Sequence, residues 1–349
     1  METQAFASFR LRADVIDRGL CPLCGGCAAG CPYLGAQNGR IVQLDCCTLP
    51  EGSCYSNCPR TETDLGELSH SVFGEPFSPD DLGIVKGAYL AQATAPETRA
   101  AAGGGGVVAA LLRFSLEHGA IDAIPGSGLD GEGHEGLRSR NLAASSRSAG
   151  APTPVLLSDA ASVVAHLSAQ HRYARVLAAF NSIPKESSAK LGLACLPCQV
   201  ASLRKRTGNH TGSRVDVRNV KILIAEFCAT KRWLEPGEDR QAANKACSFC
   251  WDLTGELADL SVGSGRGQQD WNTVLVRTEG GRHAFEAARR GGALEAKPLP
   301  ADSLAQEKKA SRDKKRRAVR NLTALTGTKN DLAYLGTCPK VANALQGGA

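Results

Sequence analysis

Cysteines in two groups are the residues of this chain best suited to chemistry. The first group opens Cys21-Pro-Leu-Cys24-Gly-Gly-Cys27-Ala-Ala-Gly-Cys31-Pro32, with gaps of two, two and three residues closed by a proline. That is the spacing of a bacterial-ferredoxin loop around a [4Fe–4S] cluster, in which three thiolates wrap one cubane and the fourth ligates a second. Gly25, Gly26 and Gly30 let the backbone approach the inorganic sulfides closely. Zinc would usually need two CxxC pairs separated by a longer loop.

The stretch continues Cys46-Cys47-Thr-Leu-Pro-Glu-Gly-Ser-Cys54-Tyr-Ser-Asn-Cys58-Pro59 and repeats the Cys-x3-Cys-Pro ending. By the crossed logic, Cys21, Cys24, Cys27 and Cys58 hold one cluster, and Cys31, Cys46, Cys47 and Cys54 hold the other. The second is irregular. Thr48 and Glu51 stand where ligands would be regular, and the adjacent Cys46 and Cys47 are the substitutes.

The later group is dispersed: Leu196-Pro197-Cys198-Gln199 after one predicted strand, Glu226-Phe227-Cys228 ending another, and Cys247-Ser-Phe-Cys250 in a loop beyond. Strand-end cysteines and a CxxC can converge on one metal at the carboxyl edge of an α/β sheet, where ligands usually bind. Zinc also satisfies this spacing. Cys195, inside a strand, reads as a small buried hydrophobe, and Cys338 is left over. Gly103-Gly104-Gly105-Gly106 precedes a predicted helix and would expose N–H groups to a phosphate, for which the diphosphate of FAD is a natural occupant. A plain flexible loop is the alternative, and the run is not the GxGxxG of a Rossmann NAD site.

The elements that must position these residues follow from patterning. Residues 1–20 read as a short helix, and the cysteine stretch completes a small iron–sulfur module at 1–62. Residues 63–83, rich in Thr, Ser, Gly, Pro and Asp with Phe73 and Phe77 as anchors, read as a linker. An α/β pattern begins near residue 84 and runs to 326, with a tail at 327–349. Strands are expected at Gly87–Ala93, Ile121–Ile124, Arg175–Phe180, Leu191–Cys195, Val220–Phe227 and Thr273–Arg277. Helices are expected at Val107–Leu116, Asp159–Gln170, Gln199–Arg206 and 301–326, with 247–300 otherwise mostly β and irregular. The 349 residues, 42% hydrophobic and 22% charged, suit a soluble globular chain. Fourteen grouped cysteines fit cofactor binding better than a secreted disulfide framework. Neither a signal peptide nor an apolar run of membrane-helix length is visible, so the expected location is cytoplasmic, or peripheral on a membrane complex through partners. The net charge of +6 suits anionic cofactors or an acidic partner surface, and no groove-reading motif supports nucleic acid.

At these residues the sequence resembles the family of coenzyme F420 hydrogenase/dehydrogenase beta subunits. The matching pieces are Gly105-Gly106-Val107-Val108 with Leu111-Leu112, Gly119-x-Ile121-Asp122, Ser146-Arg147 with Pro152, Leu196-Pro197-Cys198-Gln199 with Leu203-Arg204-Lys205, and Phe227-Cys228. The most specific is Cys247-x-x-Cys250-x-Asp252-x-x-x-Glu256-Leu257-Ala258-Asp259-x-Ser261-x-Gly263, followed by Gly267, Trp271, Thr273 and Arg277-Thr278. The fused N-terminal module looks like the electron-input subunit of F420H2 dehydrogenase complexes. The resemblance implies an α/β (α+β) flavin-binding domain preceded by a ferredoxin-like module. It implies FAD held near Gly103–Gly106, Val107, Ser146 and Arg147, and a [4Fe–4S] cluster on Cys198, Cys228, Cys247 and Cys250. It also implies coenzyme F420 as substrate and a redox partner protein or larger complex. With the module, two to three clusters are expected. The sequence departs from the family at Ala102, Gly103 and Ser148, which touch the presumed flavin pocket. No side chain is assigned an acid–base role.

Other features read more plainly. The run Lys308-Lys309-Ala-Ser-Arg312-Asp-Lys314-Lys315-Arg316-Arg317 reads as a solvated helix face, with contact to the deazaflavin tail or an acidic partner as the functional alternative. His283-x-x-Glu286 reads as chance. Asp252, Glu256 and Asp259 read as structural support around the cluster loop, and Trp271 as core or cofactor packing. Two other functions fit the residues: a ferredoxin-fed reductase of a tetrapyrrole or another unsaturated substrate, and a zinc-bearing interaction module.

Overall fold

A computed structural model describes residues 6–28, 31–37, 40–78, 81–102, 104–128, 153–168, 174–208, 217–228 and 245–326. The N-terminal part contains α1 (Ala7–Leu11), continued by a π-helical turn over Arg12–Ile16, the hairpin β1 (Leu34–Gln37) and β2 (Arg40–Gln43), and α2 (Ser53–Ser56). Helix α3 (Leu65–Phe73) follows, inside the stretch read as a linker. Its signals are local. The Asp64 side chain accepts from the Glu67 N–H, and Gly74 closes the helix at φ 71°.

The larger part is built on strands β3 (Gly87–Ala93), β4 (Ile124–Gly128), β5 (Thr153–Leu157), β6 (Leu191–Cys195), β7 (Val220–Glu226), β8 (Leu260–Ser264), β9 (Asn272–Val276) and β10 (Leu294–Pro298). Its helices are α4 (Pro96–Ala102), α5 (Val107–Glu117), α6 (Ala160–Ser168), α7 (Ala174–Ser182), α8 (Pro197–Gly208), α9 (Glu279–Arg290) and α10 (Ala301–Thr326). Six strands form one mixed sheet in the order β10-β3-β9-β8-β7-β6. Strands β6, β7 and β8 run parallel, and the other neighbours pair antiparallel. Strands β4 and β5 form a separate antiparallel pair. The mixed α/β architecture agrees with the sequence reading.

Alternation along the parallel strands sends side chains to two cores. Ile222 and Ile224 join Leu111, Leu112 and Phe285 on one face, whereas Leu223 and Ala225 join Leu193, Cys195 and Phe180 on the other. Cys195 is fully buried there, as expected. A third core joins the two ends of the described chain. Leu11, Val15, Leu34 and Ile41 pack with Phe249, Trp251, Ala318, Val319 and Leu322.

Three further expectations differ. Arg175–Phe180 lies in helix α7, because a short apolar run is ambiguous and burial on all sides suits a helix as well as a strand. The strand expected at Ile121–Ile124 begins at Ile124 and continues through Pro125. Only Ala123 bridges earlier, to Leu191. Helix α9 interrupts the stretch expected to be β and irregular; the Thr278 hydroxyl accepts from the Gly281 N–H at its start. Among the described residues, no helix is long and apolar enough to cross a membrane.

Candidate metal centres

The loop Cys21–Cys27 is shaped for thiolates. Leu23 has φ 56° and Gly25 φ 78°, so two backbone units turn left-handed between the cysteines. The turned backbone aims N–H groups at sulfur: Leu23 at Cys21 and Gly26 at Cys24, while Arg60 N–H reaches Cys58 Sγ at 3.4 Å. Gly26 is required by packing as well. A β-carbon there would lie 2.2 Å from Ser202 Oγ on α8. Gly30 lies outside the described residues.

Four thiols share one cavity. Cys21, Cys24, Cys27 and Cys58 line it together with Leu11, Val15, Ile16 and Ile41. Burial pushes the thiols of Cys21 and Cys58 up to about 12, and Cys27 is raised well above the ordinary thiol value by burial and by the charges of Cys21, Cys24, Cys58 and Cys54. The first crossed set of the sequence reading is therefore brought together. Burial and the neighbouring Cys31 and Cys47 raise Cys54 to about 11. Cys47 is buried, while Cys46 is exposed.

The later cysteines also converge. Cys198 and Cys228 follow the adjacent parallel strands β6 and β7, whose register pairs Cys195 with Ala225. Both therefore sit at the carboxyl edge of the sheet. Cys228 N–H donates to Leu253 O at 2.8 Å, tying the strand end to the loop after Cys247 and Cys250. Burial raises Cys198, joined by the charges of Cys24, Cys250, Cys228 and Cys247. Burial alone would raise Cys250 too, yet Lys314 and Arg60 hold it below the ordinary thiol value. The three sets thus form a series: Cys54 acts on Cys27, and Cys24 acts on Cys198. Among the described residues, no group of three or more His, Cys, Asp or Glu side chains is arranged to hold a single metal ion. A cubane differs from such an ion in spreading its thiolates over a polynuclear core.

The acidic residues after the CxxC brace this loop, as the sequence reading expects. Asp252 accepts from the N–H groups of Thr254, Gly255 and Glu256. Asp259 accepts from Leu223 N–H, Arg204 and Thr278. Glu256 Oε1 lies 2.6 Å from Lys315 Nζ, both side chains 1% exposed, and Oε2 has no hydrogen-bond donor. Burial outweighs Lys315 and lifts Glu256 to about 7. Fully buried Arg277 donates to Ser261 Oγ, Thr254 Oγ1 and the carbonyls of Leu82 and Ile84.

The basic run on α10 is divided. Lys308, Lys309 and Arg312 face solvent, but Lys314 and Lys315 are buried, so the solvated-face reading holds for only part of it. Sequence reasoning missed these two and their counterparts Arg60, Lys205 and Arg206, because nothing local marks a lysine or arginine for burial.

The glycine run enters α5 through Gly106 at φ 69°, after the intervening helix α4. Val107 N–H donates to Asn272 Oδ1 at 3.3 Å, and a β-carbon on Gly105 would meet that oxygen at 2.4 Å. Gly104 faces open space. Gly103, Ser146, Arg147 and Cys338 lie outside the described residues.

Comparison with known proteins gives a common answer. Residues 88–130 match the family model "Coenzyme F420 hydrogenase/dehydrogenase, beta subunit N-term", and residues 230–302 match its "C terminus" counterpart. The coenzyme F420 hydrogenase subunit beta of Methanothermobacter thermautotrophicus is 24% identical over 285 residues, 70% of this chain and 96% of that protein. One subunit of the F(420)H(2) dehydrogenase of Methanosarcina mazei is 35% identical over 86 residues, 22% of this chain and 24% of that protein. The chain belongs to the family of coenzyme F420 hydrogenase/dehydrogenase beta subunits. The family also reaches a coenzyme F420-dependent sulfite reductase of Methanocaldococcus jannaschii, 22% identical over 328 residues, 78% of this chain and 47% of that protein. Among solved structures, a chain of the F420-reducing [NiFe] hydrogenase complex from Methanosarcina barkeri is similar at 21% identity and a TM-score of 0.49. It covers 70% of this chain and 94% of that one. The β3–α5 segment lies within the first matched region and the CxxC loop within the second.

Proposed function

We propose that the chain is an oxidoreductase subunit that passes electrons between reduced coenzyme F420 and a redox partner through FAD and [4Fe–4S] clusters. The observation that carries this reading is the gathering of buried cysteines in series: Cys21, Cys24, Cys27 and Cys58 line one cavity, with Cys54 acting on Cys27 from one side and Cys24 acting on Cys198 on the other. Cys21, Cys24, Cys27 and Cys58 would hold one cluster, and Cys198, Cys228, Cys247 and Cys250 another. Cys31, Cys47 and Cys54 would hold the third, with Cys46 the remaining ligand.

When bound, FAD supplies the exchange of a two-electron hydride for single electrons, which the clusters carry one at a time. The chain's part is to position and insulate. Leu11, Val15, Ile16 and Ile41 keep water from the middle thiol set. N–H groups from Leu23, Gly26 and Arg60 favour the thiolate form of three of its members. The open side of Gly104 and the α5 N-terminus would take the flavin diphosphate. Ser146 and Arg147 are proposed to complete that site on the family resemblance. The names of the relatives support a larger hydrogenase or dehydrogenase complex as the partner.

Anaerobic determination of iron, acid-labile sulfide and flavin per chain tests the reading. About twelve irons and one FAD are expected for three cubanes, and about eight irons if the Cys46/Cys47 set stays empty. Mixing with reduced coenzyme F420 should bleach the flavin. A colourless protein carrying zinc would overturn the assignment, and a flavin that does not bleach would turn it toward the ferredoxin-fed reductase.

A further inference from the structure

Four basic side chains beside the thiols are buried, which is rare for their type. Arg60, Lys205, Arg206 and Lys314 are each at most 7% exposed. Burying an ionised group is costly unless opposite charge accompanies it. Nearby, the chain supplies that charge itself: Lys315 meets Glu256, and Arg277 lies in the field of Glu256 and Asp252.

The cations beside the thiols donate to neutral oxygens. Lys205 Nζ donates to the carbonyls of Cys58 and Glu62, at 2.8 and 2.7 Å, and to the Thr61 hydroxyl. Arg206 donates to Asn181 Oδ1 and to the Gly26 carbonyl, and its Nε has no partner. Lys314 Nζ donates to the Cys228 carbonyl at 3.3 Å. Arg60 donates to the carbonyls of Ala246 and Phe249. Carboxylates act on two of them, Glu62 on Lys205 and Asp252 on Lys314. Sulfur contributes to the field at three of them: Cys58 at Lys205, Cys24 and Cys27 at Arg206, and Cys250, Cys228 and Cys247 at Lys314. Arg60 acts on both sets, through Cys21 and Cys24 on one side and Cys247 and Cys250 on the other.

We propose that Arg60, Lys205, Arg206 and Lys314 form a fixed cationic frame that raises the reduction potentials of the two inner clusters, those of the Cys58 and Cys228 sets. The proposal rests on the iron–sulfur reading above. A cluster bound by four thiolates is anionic, and each one-electron reduction adds one more negative charge. A buried cation favours the reduced form, and in a dry interior the effect is poorly screened.

The experiment is a potentiometric titration followed by electron paramagnetic resonance, on the full-length, cofactor-loaded protein under anaerobic conditions. The variants are Lys314→Met, Lys314→Arg, Lys205→Met and Lys205→Arg. Each methionine variant should lower the midpoint of one signal, a different one for each lysine, with iron and sulfide content unchanged. At the wild-type midpoint the reduced-to-oxidised ratio should fall about tenfold, the equivalent of about 59 mV for one electron. The arginine variants should restore it. Full iron content with unshifted midpoints in both methionine variants overturns the frame and leaves the iron–sulfur assignment intact. Wild-type protein without iron and sulfide overturns that assignment and the frame with it. Should one methionine variant fail to hold iron, the other decides. Iron loss in both, recovered in both arginine variants, would make the cations an assembly requirement and overturn the claim about potentials.

Discussion

Replacing Glu256 by Gln should remove a specific slope from the pH dependence of stability. The wild-type carboxyl rises from its ordinary 4.5 to about 7, because burial outweighs the attraction of Lys315. At about 1.4 kcal/mol per tenfold in acidity, that interval corresponds to about 3 kcal/mol. Its sign follows from proton counting. Between 4.5 and about 7 the folded chain holds a proton that the unfolded chain has released. Stability from this group is therefore complete below the unfolded value and is lost as pH rises through the folded one. The assay is anaerobic urea unfolding of loaded protein, followed by far-ultraviolet circular dichroism from about pH 5 to about pH 8. Wild type should lose on the order of 3 kcal/mol more than Glu256→Gln across that range. Lys315→Met is the companion: it leaves the carboxylate buried without its ion pair, costing about 3–5 kcal/mol at the alkaline end and less where the carboxyl is protonated. Parallel pH curves for wild type and Glu256→Gln would refute the reasoning.

Other substitutions probe the sites. Cys47→Ser should lower iron content by about four atoms per chain; if Cys46 is the fourth ligand, Cys46→Ser should match it in iron analysis, and full retention would remove that residue from the set. Gly26→Ala puts a β-carbon 2.2 Å from Ser202 Oγ, so iron should fall, and Ser202→Ala in the same chain should recover part of it. Gly105→Ala meets Asn272 Oδ1 at 2.4 Å and its backbone nitrogen at 2.7 Å. It should cost about 1–3 kcal/mol of overpacking in urea unfolding and reduce bound flavin. Cys195→Ala should leave iron content unchanged, since that side chain is enclosed by the core of Leu193 and Phe180.

The parts legible in the sequence were those with local causes. Strands β6, β7 and β9 are short apolar runs between turn residues, and α10 is too polar and too long to be anything else. The sites after β6 and β7 were readable because a residue at a strand end is placed by the strand itself. Helix α3 was also written locally, in Asp64, Glu67 and Gly74, but a Gly- and Pro-rich neighbourhood concealed it. Helix α9 had its cap at Thr278, but Gly280 and Gly281 in its first turn mask the helical pattern. Helix α7 could not be separated from a strand, because Val176–Phe180 is apolar throughout and shows no period. The buried cations were beyond sequence reasoning for another reason. Lys314 and Lys309 share a helix and a composition, and only the packing of α10 against the cysteine loops separates them.

The core that joins Leu11, Val15 and Ile41 to Ala318, Val319 and Leu322 has a consequence for biosynthesis. During vectorial synthesis the cysteine loop leaves the ribosome first, and the helix that covers it is among the last described elements to follow. Contacts of such long sequence separation form late. In the interval, the thiols and their apolar walls are open to metal delivery and equally to oxidation. The nascent chain presents the proposed cluster sites open until α10 seals them. The Lys314 that closes the inner set arrives with the seal.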